Sequence, residues 1–292
     1  MSTPVCRMII KPLTLEHQPL LSPAWRDLCV TYDLRFAEYS FANAFLFRKK
    51  YAYQFVECST PCLQGRWQNN DCFVIPSVPP KQIKFKLSQL LPGCTCCFFP
   101  LPDAWVEDCQ KMNMSLISCR ADTDYLFRKS KLQTLQGREL SSRRNLLNQL
   151  ERKYSLESKE IKEENIQEAF KLLERWQSQK EDSKETTDYY SCLEALTYIS
   201  KLHLFGRIAY ADGQAFGFTL GELLTPKTAL LHFTKALTSI KGATPFLYRD
   251  FALSLPDSVQ WINLEQDLGI PALRQAKNAY NPDLLLTKWK AS

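Results

Sequence analysis

A chain of 292 residues with 45% hydrophobic side chains carries material for one large core or two smaller ones, and two domains are the better expectation. Its first residues hold no apolar stretch of signal-peptide type, and no segment approaches the roughly 18 to 20 unbroken apolar residues of a membrane span, so a cytoplasmic protein without a transmembrane segment is expected. Eleven cysteines, an odd count in a large chain, point to reduced thiols serving as small core side chains, with no disulfide framework and no metal site expected.

In chain order, residues 51–58 and 72–78 have strand composition, 84–91 a helical one, 94–101 a strand, 104–112 a helix and 115–121 a strand. Residues 122–140 join the two halves. Leu140, Leu147, Leu150 and Tyr154 then form the apolar stripe of a helix whose other faces are basic. Residues 128–153 hold eight basic side chains against Glu139 and Glu151, an excess equal to the +6 of the whole chain. That asymmetry suggests a local anionic partner, tRNA or another RNA, with peripheral binding to anionic lipid as a further possibility. Arg144, Asn148 and Arg152, at i, i+4, i+8 spacing, predict a polar ridge able to contact phosphates.

Ile166, Ala169, Phe170, Leu173 and Trp176 fall at helical spacing, and so do Tyr189, Cys192, Leu193, Leu196 and Ile199. The period then changes. Residues 203–210 and 214–223 are strands joined by the hairpin signal Asp212-Gly213, and 228–236 is a third. After Lys241-Gly242 come a helix near Pro245, a strand over 259–264, a loop over 265–270, a helix opened by Pro271 and a last strand over 284–289. The first half repeats the tail of this order, so a structural duplication is expected.

Several motifs carry a family resemblance: Tyr39-Ser40-Phe41-Ala42-Asn43, Phe47-Arg48, Asp124-Tyr125-Leu126, Leu135-Gln136-Gly137-Arg138 and Arg143-Arg144-Asn145. They continue with Phe216 to Glu222, His232 to Ala236, Lys241-Gly242, then Asn263-x-Glu265-x-Asp267-x-Gly269 with Leu273-Arg274, Lys277, Tyr280 and Pro282. Together they resemble the family related to the C-terminal catalytic domain of phosphatidylglycerol lysyltransferases, akin to Fem-type peptidyltransferases that use aminoacyl-tRNA. The resemblance implies an α/β (α+β) fold of tandem GNAT-like domains with mainly antiparallel sheets, residues 1–125 forming one and 126–292 the other, which would carry the transferase site. It further implies transfer of an aminoacyl or acyl group to an amine or hydroxyl. Ala272 stands where glycine is expected, and Leu247-Tyr248-Arg249 where asparagine is commoner.

The expected donor is aminoacyl-tRNA rather than acetyl-CoA, because residues 239–243 contain one glycine and a lysine, a poor pyrophosphate cradle. No cofactor is expected beyond aminoacyl-tRNA or acyl-CoA as co-substrate. Glu222, ending an otherwise apolar strand face, and Glu265 are candidate catalytic carboxylates; a solvated strand end is the alternative for Glu222. Lys235 is a candidate oxyanion or phosphate contact, and Tyr280 a general acid or a core ring. His232, Lys241, Asp267, Arg274 and Lys277 are candidate substrate-binding residues, with a structural histidine, an ordinary turn, a cap and a salt-bridge network as their respective alternatives. Arg144 and Arg152 are the candidate RNA contacts. The rival functions are a non-catalytic tRNA- or RNA-binding protein on the same scaffold and an acetyl-CoA-dependent N-acetyltransferase.

Overall fold

The computed structural model describes residues 9–58, 60–67, 71–83, 87 and 96–292. The chain divides into two compact units, residues 1–123 with 286–292, and residues 124–285. The sequence reading ran the second half to the C-terminus; residues 286–292 group with the first unit instead.

The first unit contains β1 (Ile9–Pro12), α1 (Gln18–Tyr32), α2 (Phe41–Leu46), β2 (Gln54–Glu57), β3 (Cys62–Arg66), β4 (Cys72–Ile75), β5 (Cys96–Leu101), α3 (Val106–Lys111) and β6 (Leu116–Ser118). Among the described residues its sheet has seven strands, in the order β1, β2, β3, β4, β5, the chain's last strand (Trp289–Ala291), β6. Only β4 and β5 pair in parallel there. Helix α1 was not legible because it contains Pro19 and Pro23, yet Pro19 lies in the first turn, where a missing N–H costs nothing. Tyr53, Trp67, Phe73 and Phe99 pack ring against ring over the sheet. The expected strand over 284–289 is split, and between its parts Lys288, fully buried, donates to Glu38 at 2.7 Å. An unpaired buried carboxylate or ammonium is costly, so this pair ties the last strand to the segment that carries Glu38. The helix expected over 84–91 lies, apart from residue 87, outside the described residues.

The second unit runs β7 (Asp124–Arg128), α4 (Lys129–Thr134), α5 (Ser141–Lys153), β8 (Leu156–Glu160), α6 (Ile166–Gln177), α7 (Tyr189–Thr197), β9 (Phe205–Ala211) and β10 (Gln214–Thr225). It continues with β11 (Thr228–Ala236), α8 (Ala243–Ser254), β12 (Trp261–Gln266), α9 (Pro271–Asn278) and β13 (Leu284–Leu286). Its sheet has the order β13, β7, β12, β11, β10, β9, β8. Strands β8 to β11 form an antiparallel meander; β11 and β12 pair in parallel over Thr228–Leu230 and Trp261–Asn263 only. Asp212 and Gly213 both have positive φ, as a two-residue hairpin between β9 and β10 requires. The stripes of α5, α6 and α7 bury Leu147, Leu150, Ala169, Leu172, Leu173, Cys192 and Leu196; Phe251 of α8 shares one core cluster with Leu147, and Leu247 shares a second with Leu150.

One irregularity in the sheet matters for function. Leu220 registers with Phe233 but Gly221 with Leu231, which leaves His232 as the extra residue of a β-bulge in β11. Gly221 permits it, since a Cβ there would lie 2.3 Å from the Leu230 carbonyl and 2.7 Å from the Phe251 ring. The simple alternation read from the sequence, with His232 and Thr234 on one face, stops at this bulge. No described helix is long and apolar enough to cross a membrane.

Candidate active site

The bulge turns His232 between two carboxylates from the flanking strands. Nε2 lies 2.9 Å from Glu222 Oε1 on β10, and Nδ1 lies 2.6 Å from Glu265 Oε1 on β12. The imidazole is fully buried, whereas the Glu222 and Glu265 side chains are 15% and 16% exposed, so this is a solvent-edged carboxylate pair with a cation sealed behind it. Burial works against the charged imidazole, but hydrogen bonds to Glu222 and Glu265 outweigh it and raise the pKa to about 10. His232 is therefore an imidazolium near neutral pH. An imidazolium donates from both nitrogens, which matches an acceptor on each side.

Glu265 owes its position to the motif around it. Its backbone is left-handed, at φ 60°, a conformation costly for a non-glycine residue unless its surroundings enforce it. Asn263 does so: its side-chain oxygen accepts from Glu265 N at 2.6 Å, while its Nδ2 donates to the buried Asp124 carboxylate at 2.8 Å. Lys277, reaching back from α9, donates to the carbonyls of Leu264, Glu265 and Gln266 at 2.6, 3.0 and 2.6 Å. Asp267, completely buried, accepts from Tyr125 Oη, from Arg274 Nε and Nη2, and from Gly269 N. Burial alone would raise the Asp267 pKa; these donors overturn that and hold it below the ordinary carboxylate range.

The sequence offers Asp267, Arg274 and Lys277 as candidate substrate-binding residues, with a cap and a local salt-bridge network as the alternatives. In the structure they clamp the loop that presents Glu265, because their polar atoms meet one another and the β12 carbonyls. The N-cap of α9 is Ile270, and Asp267 closes the turn before it. Tyr280, read as a general acid or a core ring, is 4% exposed, lies against Tyr248 and under the Arg143 guanidinium, and has its phenol pKa pushed up by burial. That burial opposes proton donation.

Lys235 projects on the side of α6 and α7, 3% exposed, with Nζ 2.5 Å from Asp188 Oδ1 and 3.7 Å above the Trp176 ring. Phe233 links it to the triad, since its ring faces both His232 and the Lys235 ammonium. Lys241 is exposed, in the turn before α8. The following Gly242 has φ 86°, and a Cβ there would meet the Leu146 carbonyl at 2.5 Å, so this glycine lets α8 approach α5.

Much of the basic segment is committed internally. Arg128 stacks on Trp261, Lys129 donates to the Leu255 and Pro256 carbonyls, and Lys131 pairs with Asp283. Arg144, expected to point outward, donates Nη1 to the carbonyls of Leu135 and Gly137, because the chain preceding α5 folds back beneath it. Arg138 and Arg152 are exposed. Among the residues that shape the site, the sequence reading gave no role to Asp124, Tyr125, Asn263, Trp176 or Asp188. The first three stood within quoted motifs, so their signal was present; nothing local ties Trp176 or Asp188 to Lys235.

A meander, a bulged central strand and a parallel neighbour that separates from it after three residues are features of a mixed α/β fold of the tandem GNAT-like, Fem type. Residues 31–292 match the family described as phosphatidylglycerol lysyltransferase, C-terminal, and the chain belongs to that family. A conserved protein of unknown function from Bacteroides thetaiotaomicron VPI-5482 is 26% identical, with 98% of this chain and 99% of that one covered at a TM-score of 0.83. L-PGS from Bacillus licheniformis is 13% identical over 82% and 83% of the two chains, with a TM-score of 0.55. FemX is 8% identical over 97% and 96%, with a TM-score of 0.57, and these last two likenesses concern the fold. No curated protein matches the chain. Family and fold fit an aminoacyl- or acyltransferase.

Proposed function

We propose that this chain transfers an aminoacyl group from aminoacyl-tRNA to an amine or hydroxyl acceptor, at the site marked by Glu222, His232 and Glu265. The observation that carries this reading is the pair of solvent-edged carboxylates held on one buried imidazolium. Glu265, fixed by a strained and heavily braced loop, takes the proton of the acceptor nucleophile. That atom attacks the ester carbonyl of the donor, the bond from the acyl carbon to the ribose oxygen breaks, and the ribose oxygen takes up a proton. The products are an amide or ester and the uncharged tRNA.

Glu222 supplies the second carboxylate, suited to the ammonium of the aminoacyl group. His232 acts as a positioning residue: sealed from solvent and charged, it orients both carboxylates. Lys235 contributes positive charge from beyond Phe233 toward the developing oxyanion, its place fixed by Asp188 and Trp176. Lys241 is suited to a tRNA phosphate. The single glycine before α8, engaged in helix packing, supports aminoacyl-tRNA over a CoA donor.

The test is incubation of the full chain with charged tRNAs, acetyl-CoA and candidate amine and hydroxyl acceptors, with products read by mass spectrometry. Transfer from charged tRNA is expected. Transfer from acetyl-CoA alone would overturn the donor, and tRNA binding without turnover would favour the non-catalytic reading.

A further inference from the structure

A small cleft of about 270 Å³ lies in the second unit, between α5, α8 and the start of β8. Its walls are apolar: Tyr154, Leu156 and Phe246 are half-buried there, and Leu253 of α8 lines it while 56% exposed. Two charged groups of α8 face into it. Asp250 accepts from Ser158 Oγ at 2.6 Å and from Arg207 Nε at 2.9 Å, both on Oδ2, and Arg207 Nη2 donates to the Ser158 carbonyl at 3.0 Å. The carboxylate is thus fixed from the sheet side, whereas its Oδ1 has no partner among the described residues and is not sealed from solvent. Arg249 donates Nη1 to Glu151 Oε1 of α5 at 2.5 Å, and its Nε and Nη2 have no partner among the described residues. None of these side chains takes part in the site of Glu222, His232 and Glu265.

We propose that this cleft binds a free α-amino acid with an aromatic or branched apolar side chain, its ammonium on Asp250 Oδ1 and its carboxylate on the open side of the Arg249 guanidinium. The charge pattern selects a zwitterion. A plain anion would meet the carboxylates of Asp250 and Glu151, and a plain cation the guanidiniums of Arg207 and Arg249. An uncharged apolar ligand would cover Asp250 and Arg249 without replacing their water. A molecule carrying one charge of each sign a few ångströms apart satisfies both groups with charge-assisted hydrogen bonds. Phe246, Tyr154 and Leu253 then take its side chain out of water. Size points the same way, since 270 Å³ lies below the roughly 300 Å³ at which clefts for larger organic ligands begin, too little for a nucleotide.

The test is calorimetric titration of the full chain with L-phenylalanine and L-leucine. 2-Phenylethylamine, 3-phenylpropionate and L-alanine serve as probes that lack the carboxylate, the ammonium and the large side chain respectively. A Kd on the order of 1 mM is expected for phenylalanine, because an open cleft gives a small ligand modest affinity. Loss of either charge should weaken binding about tenfold or more, the worth of one charge-assisted hydrogen bond. Arg249→Ala should weaken phenylalanine to the same degree, and Leu253→Ser should weaken it severalfold through lost apolar contact. Amide NMR of the wild type needs no variant: the shifts induced by phenylalanine should centre on residues 151–156 and 246–253. No saturable binding at tens of millimolar, equal affinity for 2-phenylethylamine or 3-phenylpropionate, or shifts centred on Glu222, His232 and Glu265 would overturn the proposal. None of these readouts requires turnover, so the proposal stands or falls apart from the transferase reading.

Discussion

His232 Nδ1 lies 2.6 Å from Glu265 Oε1, at the level where β11 and β12 have ceased to pair. A side-chain bond thus continues the connection that the backbones give up, and it brings charge to the point where the strands separate. Its strength depends on His232 being protonated, which sets a pH dependence with a definite sign. The folded pKa, about 10, lies above the ordinary 6.5, so the stabilisation is complete below pH 6.5 and is lost as pH rises toward 10. At about 1.4 kcal/mol per unit, several kcal/mol are at stake. Urea unfolding between pH 6 and 10 should show this decline in the wild type and a flatter profile in His232→Asn. An equal decline in both would assign the alkaline loss to other groups.

Glu265→Gln keeps the shape of the side chain and one hydrogen bond to His232 but removes the proton acceptor. Transfer should fall by roughly 10² to 10⁴ with the fold retained, and the His232 pKa, read by NMR, should drop toward neutrality. Retention of full activity would move the base elsewhere. Glu222→Gln should lower the His232 pKa as well, because it supplies the other acceptor.

The loop clamp makes a separate claim. Asp267 is completely buried and pairs with the half-exposed Arg274, so Arg274→Ala weakens the support of a buried carboxylate and should lower the urea midpoint. Arg274→Lys should rescue only part of it, since one ammonium cannot reproduce the Nε and Nη2 pair. The Asp267 pKa is depressed, so its contribution is present above the ordinary aspartate pKa of about 3.9 and is lost as pH falls below it. Acid unfolding midpoints of the wild type and Asp267→Asn check this. Identical acid profiles would show that Asp267 is not the group responsible.

These cases explain which parts of the molecule were legible. The hairpin at Asp212-Gly213, the stripes of α6 and α7 and the helix after Pro271 follow local rules, and local rules are readable in one dimension. Glu222, His232 and Glu265 were each visible as candidates, but their junction depends on a bulge, and a one-residue bulge leaves no mark in an alternating pattern beyond Gly221. Charged residues are ambiguous in one dimension for the same reason. Asp267, Arg274, Lys277 and Arg144 look like ligands in sequence because their partners are backbone carbonyls or residues distant in the chain.

Gly221→Ala tests the bulge directly. Its methyl group would sit 2.3 Å from the Leu230 carbonyl, so β10 and β11 must shift apart or change register. A loss of about 1 to 3 kcal/mol is expected by comparison with other overpacked sites. Because the shift would move His232 relative to Glu222, the imidazole resonance should move too, while a substitution on the exposed hairpin such as Gln214→Ala should leave it in place.

The last expectation concerns the basic segment, where Arg144 and Arg152 share a helix but not a role. Arg144 holds the carbonyls of Leu135 and Gly137 with one guanidinium nitrogen, so Arg144→Ala should lower the urea midpoint by the equivalent of about 1 to 3 kcal/mol. Arg152 is exposed in the last turn of α5, beside Lys153, and its removal should leave stability within about 0.5 kcal/mol of the wild type. If RNA is the anionic partner, Arg152→Ala should weaken binding alike for different sequences and reduce the salt slope by about one, as loss of one phosphate contact requires. Binding to anionic vesicles, measured in parallel, separates the lipid alternative: a loss confined to RNA supports the tRNA reading, and a loss confined to vesicles supports the lipid one. Unchanged affinity and slope for both would make Arg152 a solubilising residue, and the tRNA contact would then have to be sought around Lys241 and the turn before α8.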